Sequence, residues 1–351
     1  MEIVYLINKQ LFTTLGGGLM LKKKLVTLLC LSLMLPVTSC TSDNGEQKEE
    51  LEGKTVLYQV IRENLSLMMC YVIKTNNNKL IVIDGGIDGH GLYKPPYLLE
   101  ELRKISGEEH PVVDAWFITH AHHDHFFEFV KMVEEKSKYF TVNNVYFNFP
   151  SQEFLDKYAP SGKAFLDRFK KAYNKLYGEN AYDNYEGVQV GEIIEVDNVS
   201  FEILQIPDES ITSNAINNSS IIFRMTVENQ TVLFTGDAGV EAGNRLVITY
   251  GDSIQSDIVQ MAHHGQAGLE KRHYEKINPK VCLWPIPIWV WENKNQRYAT
   301  DYTKKWMLEE LEVKHHYISG LYGTEYIVFP FDFDKKPKND VDFRPYSDVD
   351  K

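Results

Sequence analysis

The residues best able to do chemistry lie in one short segment, Thr119-His120-Ala121-His122-His123-Asp124-His125. Imidazoles and carboxylates are the donors that hold zinc and related divalent ions. In extended chain, side chains two apart point the same way, so His120 and His122 can reach one ion while His123 points away. Asp124 and His125 stand just before a helical run that begins at Phe126, and the bend there can offer both to a second ion. Six of the eleven histidines fall in this segment and in His263-His264. The pattern suits a two-metal site that activates water for hydrolysis.

The elements that must position these groups are legible as hydrophobic patterns. Runs rich in Val, Ile and Tyr at 55–61, 67–74 and 80–83 predict a meander of three strands, with Thr75-Asn76-Asn77-Asn78 as a turn. A helix over 96–105 and a buried strand over 112–118 follow, and that strand ends on the histidines. Next come a helix over 126–136, a strand over 145–149, and a helical region over 152–176. The last is interrupted at Pro160-Ser161-Gly162 and reads as an insertion or lid beside the site. The second half predicts strands at 191–195, 200–205, 220–227, 231–235, 257–261 and 281–283, helices after Gly239 and over 303–311, and a final hairpin around 320–323. Two strand-rich halves, each followed by helices, imply two packed sheets with helices outside.

The segment His120-Ala121-His122-His123-Asp124-His125 matches the His-x-His-x-Asp-His signature of the metallo-β-lactamase superfamily, which the chain resembles over most of its length after Thr55. The resemblance implies an α/β fold, a four-layer αββα sandwich, over residues 54–335. It also implies two divalent ions, zinc or manganese, with Asp124 orienting the nucleophile. Asp84-Gly85-Gly86 resembles the early Asp-Gly turn whose Asp buttresses the site. Phe234-Thr235-Gly236-Asp237 resembles the strand-end Gly-Asp whose carboxylate bridges the metals. Ala262-His263-His264-Gly265 resembles the last ligand position, with His263 taken as the ligand because it is nearest the strand end, and His264 as a supporting or substrate contact; the two roles could be exchanged. The implied ligands are therefore His120, His122, Asp124, His125, Asp237 and His263. Asn217-Asn218-Ser219-Ser220 before a strand is similar to the hydrolase domain of DNA-uptake competence proteins, where Asn217 and Ser220 are the matching positions.

The chain departs from the family at one ligand, because it has no histidine from Phe126 through Ala262. Asp208 or Asn217 takes the place of the usual third imidazole on the first metal, or water fills it, or that metal is held weakly. An oxygen ligand would make the site friendlier to manganese.

Outside the site, Lys22, Lys23 and Lys24 precede an apolar run over 25–35 that is short for a bilayer span, and Val37-Thr38-Ser39-Cys40 resembles a bacterial lipobox. Residues 1–40 are expected to be a lipoprotein signal with Cys40 as the lipid anchor, 41–53 a polar tether, and 336–351 a polar tail. The expectation is an exported lipoprotein facing the periplasm or exterior. The formal charge is −12, and the four lysines and one glutamate of residues 1–39 account for +3, leaving −15 on the rest. Such an acidic body disfavours nucleic acid as a partner. A small or lipid-linked phosphoester is the favoured substrate, with lactam, lactone or thioester hydrolysis and a non-catalytic binding lipoprotein as alternatives. Cys70 and Cys282 read as buried thiols, His315-His316 as one exposed and one packed residue, and His90, His110 and His273 as loop or surface residues.

Overall fold

The computed structural model of the protein describes residues 51–62, 66, 69–87 and 96–336. The signal segment, Cys40, most of the tether, His90 and the tail beyond residue 336 lie outside the described residues. No helix among the described residues is long and apolar enough to cross a membrane.

The apolar runs form strands β1 (Thr55–Gln59), β2 (Cys70–Lys74) and β3 (Leu80–Asp84), an antiparallel meander. Helix α1 (Tyr97–Ser106) returns the chain to β4 (Val112–Phe117), which pairs parallel to β3. Helix α2 (His123–Lys136) leads to the short strands β5 (Thr141–Val142) and β6 (Val145–Tyr146), both parallel to β4. The predicted insertion is α3 (Gln152–Tyr158), a 3₁₀ turn at Pro160–Gly162, and α4 (Lys163–Tyr177).

The second sheet runs β7 (Ile193–Val196), β8 (Val199–Gln205), β9 (Ile222–Val227), β10 (Gln230–Phe234), β11 (Ile258–Gln260), β12 (Val281–Trp284) and β13 (His315–Ile318), in that spatial order. Helices α5 (Val240–Tyr250), α6 (Lys271–Ile277), α7 (Ile288–Glu292) and α8 (Thr300–Lys305) fall among its strands. A short α9 (Ser319–Tyr322) precedes the last strand, β14 (Glu325–Phe329).

Three apolar clusters define four layers. Leu57, Ile83 and Phe117 of the first sheet meet Phe201, Phe223 and Phe234 of the second in a central core. The outer face of the first sheet packs Trp116 and Val82 against Leu102, Phe129 and Phe169 of α1, α2 and α4. The outer face of the second packs Val259 and Trp284 against Leu246, Tyr274 and Val290 of α5, α6 and α7. This is the αββα sandwich of the metallo-β-lactamase fold.

Three readings of the sequence need correction. The final hairpin does not form: β14 pairs with β1 in the first sheet, in register Thr55↔Phe329, while β13 stays in the second. Thr324 directs the crossing, accepting from Ile61 N at 3.1 Å and donating to Ile61 O at 3.2 Å. His315 and His316 are both buried, because the segment after β14 covers the first through a Phe333 carbonyl at 2.9 Å. His273 is also buried, its ring bonded to Glu270 N and Asn244 Oδ1 at the start of α6. Cys70 and Cys282 are buried and free.

His316 accepts from Trp284 Nε1 at 3.0 Å and donates to Val313 O at 2.7 Å, so it is held neutral, and burial lowers its pKa to about 4. A folded pKa below the unfolded value of about 6.5 gives stability that is complete above pH 6.5 and lost as pH falls through 4. A series of melting temperatures from pH 7 to 4 is expected to show this fall. His316→Phe should melt lower at pH 7 yet lose less on acidification.

Candidate metal centre

Past the end of strand β4 the chain runs through Ile118 into Thr119 and His120, both fully buried. Its neighbour β3 ends on Asp84, at φ 56°, a left-handed conformation that turns its carboxylate across the strand ends. That carboxylate accepts from Thr119 N at 2.7 Å, Thr119 Oγ1 at 2.8 Å and His125 Nδ1 at 2.8 Å. Thr119 Oγ1 also lies 3.0 Å from His120 Nδ1. With its proton given to Asp84, the hydroxyl accepts from His120, so both His120 and His125 keep an Nε2 lone pair free for a ligand.

These nitrogens converge on Asp237, which β10 delivers through the Thr235-Gly236 turn. Asp237 Oδ2 lies 3.2 Å from His125 Nε2, 3.7 Å from His120 Nε2, 3.8 Å from His264 Nε2 and 3.9 Å from His263 Nε2. Burial alone would raise the pKa of Asp237, but His125 and His264 hold its carboxyl well below the usual carboxylate range. Burial likewise disfavours charge on His125, and Asp237 and Asp84 outweigh it and raise that pKa. His122 Nδ1 stands 3.0 Å from His120 Nε2.

Two overlapping groups have the spacing to hold a metal: His120, His125 and Asp237, and Asp124, His125 and His264. The donor chemistry fits, because His125 Nε2, Asp237 Oδ1 and His264 Nε2 are buried without a hydrogen-bond partner among the described residues. Such orphaned atoms cost on the order of 1–3 kcal/mol each unless something occupies them. Asp124 and His125 both lie in the first turn of α2, which starts at His123, three residues earlier than the pattern predicted.

The two histidines of the last pair differ in burial. His264, fully buried, joins Asp124 at 3.7 Å, and its Nδ1 donates to Pro285 O at 2.7 Å, which fixes Nε2 toward the site. His263 lies nearer the opening, with 24 % of its side chain exposed. Both adopt left-handed backbone, φ 50° and 57°, which costs each about 1–2 kcal/mol and marks a strained functional turn. Gly265 completes the turn at φ +75°, and a Cβ there would stand 2.5 Å from the Trp284 ring.

Ser220 Oγ accepts from Asp237 N at 3.0 Å, and Ile221 N donates to Thr119 O at 2.8 Å, so the 217–221 segment ties the two strand ends together. Asn217 Oδ1 is buried without a partner among the described residues. Asp208 is engaged elsewhere, accepting from Ser210 N and Oγ and lying 3.6 Å from Arg245. The insertion flanks the site: Phe154, Leu155 and Leu166 pack with Ala121 and Ile216, and Phe165 stacks on His123 at 4.4 Å.

Sequence reasoning missed Thr119 and Gln260 as braces. Gln260 accepts from Thr235 N at 2.8 Å and donates to Gly236 O at 3.0 Å, clamping the turn that carries Asp237. Its signal was available as an uncharged polar residue in the apolar run before His263.

The profile of the metallo-beta-lactamase superfamily matches residues 69–281. The chain belongs to that superfamily, a class of hydrolases that bind divalent metals, often two. No curated protein matches the sequence. Among solved structures, it is similar to the metallo-beta-lactamase fold protein YhfI from Bacillus subtilis, at 13 % identity over 65 % of this chain and 85 % of that one, TM-score 0.39. It is similar to a diphosphatase of the PhnP family at 13 % identity, 66 % and 85 % coverage, TM-score 0.38. It also resembles CmlA, a diiron beta-hydroxylase from Streptomyces venezuelae, at 12 % identity and TM-score 0.36, covering 67 % of this chain but only 46 % of that one.

Proposed function

We propose that the protein is an envelope-tethered hydrolase of phosphodiester or related phosphoester bonds. One observation carries the hydrolytic reading: a single buried carboxylate oxygen, Asp237 Oδ2, has four imidazole Nε2 atoms within 3.2–3.9 Å. The phosphoester preference rests on the likeness of Asn217 through His264 to the competence-protein pattern, and the location on the run from Lys22 to Cys40.

Two divalent ions would supply a water of lowered pKa and polarise the substrate oxygen. His120, His122 and Asp237 would hold one, and Asp124, His125 and His264 the other, with Asp237 shared. Asn217, rather than Asp208, would offer its orphaned Oδ1 where the third histidine is missing. Asp124 would orient the nucleophile. His263, at the opening, meets the substrate. Asp84 and Thr119 keep the ligand imidazoles in the required tautomer.

Metal quantification beside assays with bis-p-nitrophenyl phosphate, p-nitrophenyl phosphate, a chromogenic lactam and a lactone tests this reading. Wild type should bind about two equivalents of zinc or manganese and cleave the diester fastest. His122→Ala should lose about 100-fold or more of that rate. Equal, poor rates for both proteins would end the catalytic reading, and a faster lactam rate would end the phosphoester one.

A further inference from the structure

A cavity of about 290 Å³ opens between the end of β6, helix α4 and the 182–187 segment, close to the roughly 300 Å³ at which small-ligand sites begin. Its place follows from the topology. Strand β6 runs parallel to β4, in register Trp116↔Val145 and Phe117↔Tyr146, so both strands end on one rim. Past that rim β4 continues into Thr119 and His120, and β6 into Phe147, Asn148 and Phe149, which line the cavity. Leu166 of α4 lines it too, and also lines a small hollow against Ala121 of the histidine segment. Leu166 is thus common to the cavity wall and to the packing against the histidine segment.

The lining defines the occupant. Phe147, Phe149, Tyr182 and Tyr185 form an aromatic wall. Phe147 already stacks on Tyr182, with centroids 5.6 Å apart at 18°, and contacts Tyr185 at 4.5 Å. These rings close on one another and leave no slot between them for a flat base; Phe147 is buried behind the others, and the partly exposed Phe149 and Tyr185 supply the apolar side of the cavity. Lys170 Nζ sits 5.0 Å over the Tyr182 ring and donates to Gln152 Oε1 at 2.9 Å, so the place a ligand cation would take on that ring is filled. The uncommitted charged groups at the rim are acceptors: the carboxylates of Asp183 and Glu186 line the cavity and make no hydrogen bond or ion pair among the described residues.

An occupant must therefore be apolar on one face and rich in hydroxyl donors along its edge. We propose that the cavity is a sugar subsite, holding a glycosyl residue of the substrate beside the scissile bond. The assignment of substrate class rests on the hydrolase reading above, whereas sugar binding itself does not.

Saturation-transfer NMR and calorimetry on the full chain test it, with the methyl glycosides of glucose, galactose and N-acetylglucosamine as probes and adenosine and octanoate as comparators. At least one glycoside should bind saturably. The exposed pair Asp183→Ala/Glu186→Ala should weaken it about tenfold, the loss of two solvent-exposed hydrogen bonds at the low end of their usual worth, with circular dichroism and metal content unchanged. His122→Ala should bind the glycoside as wild type does, so failure of hydrolysis and failure of the subsite are separate results. The proposal is overturned if no glycoside binds, if the double variant binds as wild type, or if adenosine or octanoate binds as tightly as the best glycoside.

Discussion

Asp237→Ala is expected to lower turnover on the order of 10³-fold and to strip the protein of at least half its metal. The size follows from position. Asp237 Oδ2 is the one atom that faces His120, His125, His263 and His264 together, and both of its oxygens lie in a buried pocket. Without it, the four imidazoles lose the carboxylate they share and Asp124, 3.7 Å from His264, is left as the nearby ligand anion, which weakens the hold on a cation there. Asp237→Asn separates charge from shape. The amide keeps the volume and the melting temperature should recover, but with one ligand oxygen and no charge, metal content and turnover should stay low. Plasma mass spectrometry on the dialysed proteins, beside thermal melts, reads both effects. Recovery of metal in the Asn variant would show that Asp237 acts only by filling space.

The second large effect is on the fold. Asp84→Ala should destabilise the protein by about 3–5 kcal/mol, the range found when one partner of a buried charged network is removed. Burial pushes the Asp84 carboxyl above its usual range, against the pull of His125 and Thr119, so its charge is costly and is kept by its partners. Removing it takes the carboxylate acceptor from Thr119 N, the Thr119 hydroxyl proton and His125 Nδ1 together. Denaturant midpoints should show the loss in metal-free protein as well as in loaded protein. That distinguishes it from Asp237→Ala, whose main deficit is in metal content. If the metal-free proteins unfold alike, Asp84 acts on the ligands alone.

The layers were legible because their residues obey short-range rules. The meander at 55–83, the strand ending on Thr119 and the break at Pro160 are each set by local propensity and periodicity, and each appears within a few residues of its predicted place. The site segment was legible because ligand types cluster in it. What could not be read depends on contacts far apart in sequence. The fate of β14 is decided by Thr324 meeting Ile61, which no window over 313–331 contains. The different burial of His263 and His264 depends on two left-handed residues and a carbonyl on Pro285, far from them in sequence. His315 and His316 alternate as a strand should, but Phe333 and Trp284 cover both faces, so alternation does not translate into exposure.

The pairing of β1 with β14 also governs how the chain can be made. Thr55 and Phe329 are register partners separated by most of the sequence, so the outer edge of β1 is closed only when the chain near residue 329 has joined it. Until then β1 presents an open row of backbone donors and acceptors. A circular permutant joined near this edge should remove the delay while leaving the metal ligands in their sequence order.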